Sequence, residues 1–131
     1  EGHSDADVLI HSVIDAILGA LGKGDIGKLF PDTDPAYQGK SGKALLELMF
    51  ARLDAGPFSM VNLDATIIAQ QPRLAPYLTE MCKNLGNWLH GRPSKINIKA
   101  KTHERIGSLG RGEGIAAMAV VLIERDGDDN G

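Results

Sequence analysis

The stretch that decides the fold is VNLDATIIA, residues 61–69. Apolar side chains occupy every second position from Val61 to Ala69, with Asn62, Asp64 and Thr66 between them. A period of two over this length is typical of a strand that buries one face. We therefore expect residues 61–69 to form a β-strand with its odd-numbered side chains in the core.

The segment after this strand predicts a helix and then a second strand. Pro72 is expected to open the helix, because proline is tolerated in a first helical turn. Its apolar positions recur at helical spacing, at Leu74, Leu78, Met81, Cys82, Leu85, Trp88 and Leu89. Residues 96–101 alternate again and predict the second strand. The whole strand-helix-strand unit, residues 61–101, is long enough for the crossover that joins parallel strands.

The last predicted strand, residues 115–123, is apolar at almost every position. A strand of this composition is covered on both faces. The helices of one small chain can cover only one face of the sheet well. We therefore expect a partner subunit on the other face.

Two helices are expected ahead of the first strand. Apolar side chains at helical spacing predict one from about Ser4 to Leu21, ended by Gly22 and Gly24. Residues 25–42 are expected to be a loop, and residues 43–53 a second helix. The predicted fold is α+β, a small mixed sheet with helices packed on one face. Residues 1–125 form a single domain and residues 126–131 a polar tail.

Composition excludes several classes of protein. The chain has 131 residues, a net charge of −3 and one cysteine, Cys82. A single cysteine excludes an internal disulfide framework and a multi-cysteine zinc site, and Cys82 on an apolar helix stripe is expected in the core. No basic block points to nucleic acid, and no apolar run is long enough to span a bilayer. We expect a soluble protein of a reducing compartment.

Three polar residues of the first helix, Asp7, His11 and Asp15, are spaced four apart. This spacing puts them on one face of the helix. A neutral imidazole can bind a metal, and a carboxylate one turn away can hold its other nitrogen. A solvated helix face explains the same spacing, so both interpretations stay open. His3, near the helix N-terminus where anions are favoured, is a weaker candidate.

Three further segments could bind a ligand, and each has a plain structural alternative. The acidic loop 24–35 could hydrogen-bond sugar or polyol hydroxyls, or serve only as caps and turns. Lys101-Thr102-His103-Glu104 follows a strand and suits a phosphate with its metal ion, or is an exposed strand end. The glycine-rich 110–114 could be an anion site or a bulged turn. Gly39-Lys40-Ser41 is rejected as a phosphate loop, since position 34 is Asp.

Five segments in register closely resemble the 2-C-methyl-D-erythritol 2,4-cyclodiphosphate synthase family, enzymes of the non-mevalonate isoprenoid pathway. The segments are HSDADV (3–8) with His11 and Asp15, GDIGKLFPDTDP (24–35), NLDATIIAQ (62–70), KAKTHE (99–104) and GRGEGI (110–115). The likeness covers essentially the whole chain except the tail.

The resemblance implies a homotrimer of α+β subunits, with the sheets facing the three-fold axis and active sites between subunits. It implies cyclisation of 4-diphosphocytidyl-2-C-methyl-D-erythritol 2-phosphate with release of CMP. The implied cofactors are Zn²⁺, or a similar divalent cation, and Mg²⁺ or Mn²⁺. The implied location is the cytoplasm, or the plastid stroma in a plastid-bearing eukaryote.

The resemblance also implies roles for individual residues. His3 and Thr102 would stabilise the transition state, His11 would bind zinc, Glu104 would bind magnesium, and Asp15 would support the zinc site. The residues implied in substrate binding are Ser4, Asp25, Ile26, Gly27, Phe30, Pro31, Asp32, Thr33, Asp34, Ala69, Gln70, Gln71, Pro72, Arg73, Leu74, Ala75, Lys101, His103, Ser108 and Arg111.

The implied chemistry suits a chain without a nucleophile signature. The attacking group would be a substrate phosphate, whose second pKa is about 6, so no protein nucleophile is needed. The family carries an Asp-x-His metal pair on an early strand, and no Asp-x-His occurs in this chain. We therefore expect the sequence to lack its first strands. Two alternatives are a metal-dependent phosphohydrolase and a non-catalytic trimer that binds a nucleotide or isoprenoid diphosphate.

Overall fold

The computed structural model describes residues 2–31, 34–35, 39–69, 75–89, 95–101 and 115–125, with backbone alone for residues 2–6 and 75. Within these ranges the chain forms four α-helices, one 3₁₀ turn and three strands. The elements are α1 (Gly2–Ala20), α2 (Ile26–Leu29), α3 (Gly42–Arg52), β1 (Phe58–Ala69), a 3₁₀ turn (Ala75–Tyr77), α4 (Leu78–Trp88), β2 (Lys95–Lys101) and β3 (Ile115–Arg125).

The three strands form one mixed sheet in the order β2-β1-β3. β1 pairs with β2 in parallel and with β3 antiparallel. The α4 helix lies in the connection between the two parallel strands, so the predicted crossover is confirmed. The architecture is a small α+β fold built on a mixed sheet, as the sequence predicts.

A β-bulge near the start of β1 departs from the regular alternation that the sequence predicts. The pairing with β3 shifts between Met60 and Asn62, so that Val61 is the extra residue. Met60 is buried, whereas Val61 is 39% exposed. Beyond the bulge the predicted alternation holds, with Leu63, Ala65 and Ile67 almost fully buried. The prediction that Val61 points into the core is therefore wrong, because a bulge changes the phase of the strand.

The core lies between the sheet and the helices on one of its faces. The α1 helix supplies a continuous apolar stripe that packs mainly on β3, while α4 packs on β2. The buried members of that stripe are Leu9, Ile10, Val13, Ile14, Ile17, Leu18 and Leu21. Helical spacing and burial therefore agree from Leu9 on α1 to Leu21, which directly follows the helix.

Two helix predictions need correction. A short helix, α2, lies inside residues 25–42, which the sequence analysis assigns to a loop. The crossover helix begins at Leu78, after a 3₁₀ turn, and not at Pro72. Pro72 and Leu74 lie outside the described residues. Only Leu85 is fully buried within α4, since the helix covers the edge of the sheet.

Cys82 contacts the core from α4 and is half-buried. Its thiol lies 3.9 Å from the Ile96 carbonyl oxygen. Burial raises the pKa of Cys82, so the thiol stays protonated at neutral pH. This arrangement agrees with a packing role for the cysteine.

The second face of the sheet changes character from β3 to β2. On β3, Met118, Val120 and Leu122 are 65%, 71% and 56% exposed. On β1, Asp64 accepts hydrogen bonds from Asn97 at 3.0 Å and from Lys99 at 2.6 Å. The bond from Lys99 is the main cause that lowers the pKa of Asp64. The face is therefore apolar on β3 and charged towards the β2 edge.

In the part of the chain that the structure describes, no helix combines the length and apolar character needed to cross a membrane. The glycine-rich segment 110–114 and the tail 126–131 lie outside the described residues.

Candidate active site

The polar face of α1 is one part of the candidate site. Asp7 and Asp15 are exposed and His11 is half-buried, one turn from each of them. The Asp15 carboxylate accepts a hydrogen bond from the backbone N–H of Ile26 at 2.7 Å. Asp15, one of the three polar residues on this face, therefore holds the chain segment that follows α1.

That segment begins with α2, which the neighbouring side chains position. Asp25 is its N-cap, and its carboxylate accepts from the Lys28 N–H at 2.8 Å. Together with Asp15, it satisfies two of the free N–H groups at the start of the helix. The turn from α1 into α2 passes through Gly24, with φ of +91°, where other residues are strained. Asp15, which lies one turn along α1 from His11, thus holds the start of α2 through the Ile26 N–H.

The chain after α2 is anchored in the core and on α3. The Phe30 ring is 1% exposed, so within this chain the side chain is a packing group. The Asp34 N–H donates to the Pro31 carbonyl at 2.8 Å and joins the two ends of the 31–34 segment. The Asp34 carboxylate forms an ion pair with Arg52 at 2.7 Å. Phe30 and Asp34, which the resemblance implies in substrate binding, therefore each make contacts within the chain.

The N-terminus of α3 packs closely on α1. The Ser41 hydroxyl caps the helix by accepting from the Ala44 N–H at 3.2 Å. A Cβ atom on Gly42 would lie 2.8 Å from Cγ1 of Ile10 and 3.5 Å from the Asp7 carboxylate. A larger residue at position 42 would push α3 away from α1, so the glycine sets the spacing of these two helices.

A second part of the candidate site lies at the carboxyl ends of the parallel strands. Ala69 ends β1 and Lys101 ends β2, and Ile68 pairs with Lys101 in the register of the two strands. In the sequence, the predicted residues 70–75 and 102–104 follow directly after these two strand ends. In sheets with parallel strands, ligands bind outside the carboxyl ends of the strands. The exposed Lys101 ammonium gives this edge a positive charge.

The remaining predicted residues are not all described. The helix α1 includes His3 and Ser4, and the 3₁₀ turn includes Ala75, but nothing is described of these side chains. The predicted residues that lie outside the described ranges are Asp32, Thr33, Gln70, Gln71, Pro72, Arg73, Leu74, Thr102, His103, Glu104, Ser108 and Arg111.

The donor atoms of the described side chains determine whether a metal ion could bind. Among the described side chains, no three or more His, Cys, Asp or Glu residues come together in a group that could hold a metal ion. His11 supplies an imidazole, which suits zinc, but catalytic zinc usually has three protein ligands. The described residues therefore do not build a zinc site by themselves.

One residue with a role in this region, Arg52, is missed by the sequence analysis. Its guanidinium contacts residues 29, 30 and 34, which are 18 to 23 positions earlier in the chain. Helical spacing gives no signal for a contact across that distance. An arginine in the last turn of a helix also has an ordinary explanation in the helix dipole.

Comparisons with known proteins agree over nearly the whole chain. Residues 1–124 match the model of the YgbB family. The chain is 55% identical over 124 residues to a protein of Geotalea uraniireducens named 2-C-methyl-D-erythritol 2,4-cyclodiphosphate synthase, covering 95% of this chain and 79% of that protein.

Solved structures show the same likeness. IspF of Plasmodium falciparum, in a CDP complex, superposes with a TM-score of 0.69 at 31% identity, over 90% of this chain and 70% of that one. The bifunctional IspDF of Campylobacter jejuni superposes with a TM-score of 0.78 at 36% identity. This match covers 90% of the present chain but spans only 32% of the bifunctional protein.

Proposed function

The chain belongs to the YgbB family, and from that membership we propose that it catalyses the cyclodiphosphate synthase reaction. In this reaction 4-diphosphocytidyl-2-C-methyl-D-erythritol 2-phosphate is converted to 2-C-methyl-D-erythritol 2,4-cyclodiphosphate and CMP. The observation that carries the proposal is the 55% identity to a synthase of this name over 95% of the chain. The enzyme is then a phosphorus–oxygen lyase of isoprenoid precursor biosynthesis.

In this reaction the protein mainly positions the reacting groups of the substrate, since it supplies no nucleophile. An oxygen of the substrate 2-phosphate attacks the nearer phosphorus of the diphosphate. The new P–O bond closes the ring, and the bond to CMP breaks with its electron pair leaving on the CMP oxygen. The attacking phosphate is largely ionised at neutral pH. Holding the two anions in line and neutralising charge is the remaining task.

The described residues supply the positioning in two places. The segment 25–34, held by Asp15 and Arg52, is proposed to bind the methylerythritol part through Asp25, Ile26 and Gly27. The edge formed by Ala69 and Lys101 is proposed to receive the cytidine diphosphate. The CDP complex of the Plasmodium falciparum relative supports a cytidine nucleotide as ligand. His3 and Thr102 are proposed to stabilise the transferring phosphoryl group.

Metal ions are proposed as cofactors from the family likeness. Bound zinc and magnesium would neutralise negative charge on the phosphates. Within this chain, His11 is proposed as one zinc ligand and Glu104 as the ligand of magnesium. Because the described residues do not complete a zinc site, further ligands must come from outside the described ranges.

A homotrimer with active sites between subunits is the proposed assembly. The apolar strip of Met118, Val120 and Leu122 leaves large side chains in water in the single chain. A contiguous exposed apolar patch marks an interaction surface. Copies of the chain that meet through β3 would cover this strip.

A product assay tests the proposed function directly. With the cytidine substrate and divalent metal, the phosphorus NMR spectrum should show CMP and a cyclic diphosphate in equal amounts. A phosphohydrolase on the same scaffold would let water attack and would give an acyclic phosphate. Acyclic product, or no release of CMP from any metal-loaded sample, would contradict the proposal.

Replacing Glu104 by glutamine tests the magnesium site. The loss of one charged contact costs about 1.5 kcal/mol or more. The magnesium concentration for half-maximal rate should therefore rise about tenfold or more. Glu124→Gln, at an exposed position of β3, is the matched control and should leave the magnesium dependence unchanged. An unaltered magnesium titration in Glu104→Gln would rule out this role.

A further inference from the structure

Arg52, the last residue of α3, contacts three points on the segment that follows α2. Its Nη1 atom donates to the Leu29 carbonyl at 3.2 Å and to the Asp34 carboxylate at 2.7 Å. Its guanidinium carbon lies 5.1 Å from the centre of the Phe30 ring, within the range of a cation–π contact. One planar group thus contacts Leu29, Phe30 and Asp34.

The contacts of Arg52 restrain a short piece of chain. The Phe30 ring is anchored in the core, and the Asp34 N–H is bonded to the Pro31 carbonyl. Asp32 and Thr33, which the proposed function assigns to substrate binding, are the two residues between those bonded positions.

The opposite end of the same segment is held from α1. Asp15 accepts from the Ile26 N–H, and Asp25 caps α2. Residues 25–34 are therefore fixed by α1 at their start and by α3 at their end. Of these two anchors, Arg52 is the one that no sequence pattern predicts.

The ion pair of Arg52 with Asp34 is partly exposed, so its main effect is not on the free energy of unfolding. The side chains of the two residues are 33% and 21% exposed. Exposed ion pairs contribute little to the free energy of unfolding. Arginine, however, presents several donors in a rigid plane, so it fixes geometry in a way that lysine does not. Restraint of conformation is then the main effect of the three contacts.

We infer that Arg52 is a positioning residue that holds Leu29, Phe30 and Asp34 in the arrangement required for binding the methylerythritol part of the substrate. We infer also that the Asp34 carboxylate acts through Arg52 and not by touching substrate. The inference rests on the proposed function for the identity of the ligand. The restraint itself rests only on the contacts of Arg52.

Kinetics of Arg52→Gln and Arg52→Lys, in the complete protein with its metals, test the inference. For Arg52→Gln we expect KM for the cytidine substrate to rise about tenfold, because two hydrogen bonds that order the segment are lost. The value of kcat should change less than KM. The Kd for CDP, used as a probe of the other half of the site, should stay within about twofold, a change of under 0.5 kcal/mol. Arg52→Lys should recover only part of KM.

A matched control is available in Arg125→Gln. Arg125 also donates to a backbone carbonyl, that of Ala55, at 2.7 Å. It holds the end of β3 and makes none of the contacts with residues 29–34 described here. This variant should leave KM unchanged, so a rise in KM shared by both arginine variants would contradict a specific role for Arg52.

Amide hydrogen exchange gives a readout that does not depend on activity. Exchange at Phe30 and Asp34 should be faster in Arg52→Gln than in the wild type and in Arg125→Gln. If these amides exchange at the wild-type rate, Arg52 does not restrain the segment and the inference fails. If exchange rises but the wild type releases no CMP, the proposed function fails while the restraint stands.

A double-mutant cycle tests the part of the inference that concerns Asp34. Asp34→Asn should raise KM in the wild type and have little further effect in Arg52→Gln, since the two residues would act as one unit. Equal effects of Asp34→Asn in both backgrounds would show that Asp34 contacts the substrate independently of Arg52.

Discussion

Replacing His11 by alanine is expected to remove zinc from the protein and to lower kcat by about a thousandfold or more. His11 is half-buried on the polar face of α1, one turn from Asp15, which anchors the segment proposed to bind the methylerythritol. A metal ion supplies several kcal/mol of charge stabilisation to a reacting phosphate. Since each 1.4 kcal/mol is about tenfold in rate, its loss should be large.

The measurement is metal content per subunit by elemental analysis, together with turnover. The fold should survive, because the apolar stripe of α1 is untouched and His11 is not part of the core. Asp7→Asn is the control, one turn earlier on the same face, and should retain the metal. Wild-type zinc in His11→Ala would show that His11 is not a ligand. Loss of zinc in Asp7→Asn would show that the effect is not specific to His11.

Replacing Leu122 by aspartate is expected to prevent assembly and to lower activity by about a hundredfold or more. Leu122 is 56% exposed in the single chain and lies on the apolar strip of β3. Its direct cross-strand neighbour is Asn62, a neutral residue, so the new carboxylate has no like charge directly opposite it. In an assembled interface the same carboxylate would be buried without a partner, which is strongly unfavourable.

Sedimentation velocity at micromolar concentration measures this result. The wild type and Leu122→Met, which keeps the apolar volume, should both sediment as trimers. Leu122→Asp should sediment as a folded monomer with unchanged circular dichroism, and should release little CMP because the proposed sites lie between subunits. A wild-type monomer, or an active Leu122→Asp monomer, would contradict the proposed assembly.

Much of the fold follows from patterns of period two and 3.6 in the sequence. The three strands, α1 and α3 appear close to where those patterns predict them. The exception at Val61 has a simple cause. A bulge adds one residue to β1, and periodicity alone cannot tell that residue from its neighbours.

The errors at α2 and α4 arise from weaker local signals. The four residues of α2 are too few to show a helical period, although Asp25 with an N–H three residues later is an ordinary capping signal. At α4, the spacing of Leu74 and Leu78 predicts one continuous helix, whereas the described α-helix begins at Leu78 after a 3₁₀ turn. Element boundaries depend on tertiary contacts that a single sequence does not specify.

The sequence predicts which residues form the candidate site but not which contacts those residues make within the chain. The family resemblance assigns Asp15, Phe30 and Asp34 to the site. They do not show that each of the three is engaged within the chain, with Ile26, the core and Arg52 respectively. A sequence motif does not distinguish a side chain that holds a loop from a side chain that contacts a ligand.

The order β2-β1-β3 also bears on how the chain folds. Neither described strand pair is a hairpin, since the crossover separates β1 from β2, and β3 comes later still. The central strand β1 therefore pairs only with strands that lie far along the chain. Such non-local pairing slows folding, to milliseconds or longer. During that interval the lysine-bearing β2 would protect one edge of the nascent sheet against intermolecular strand pairing.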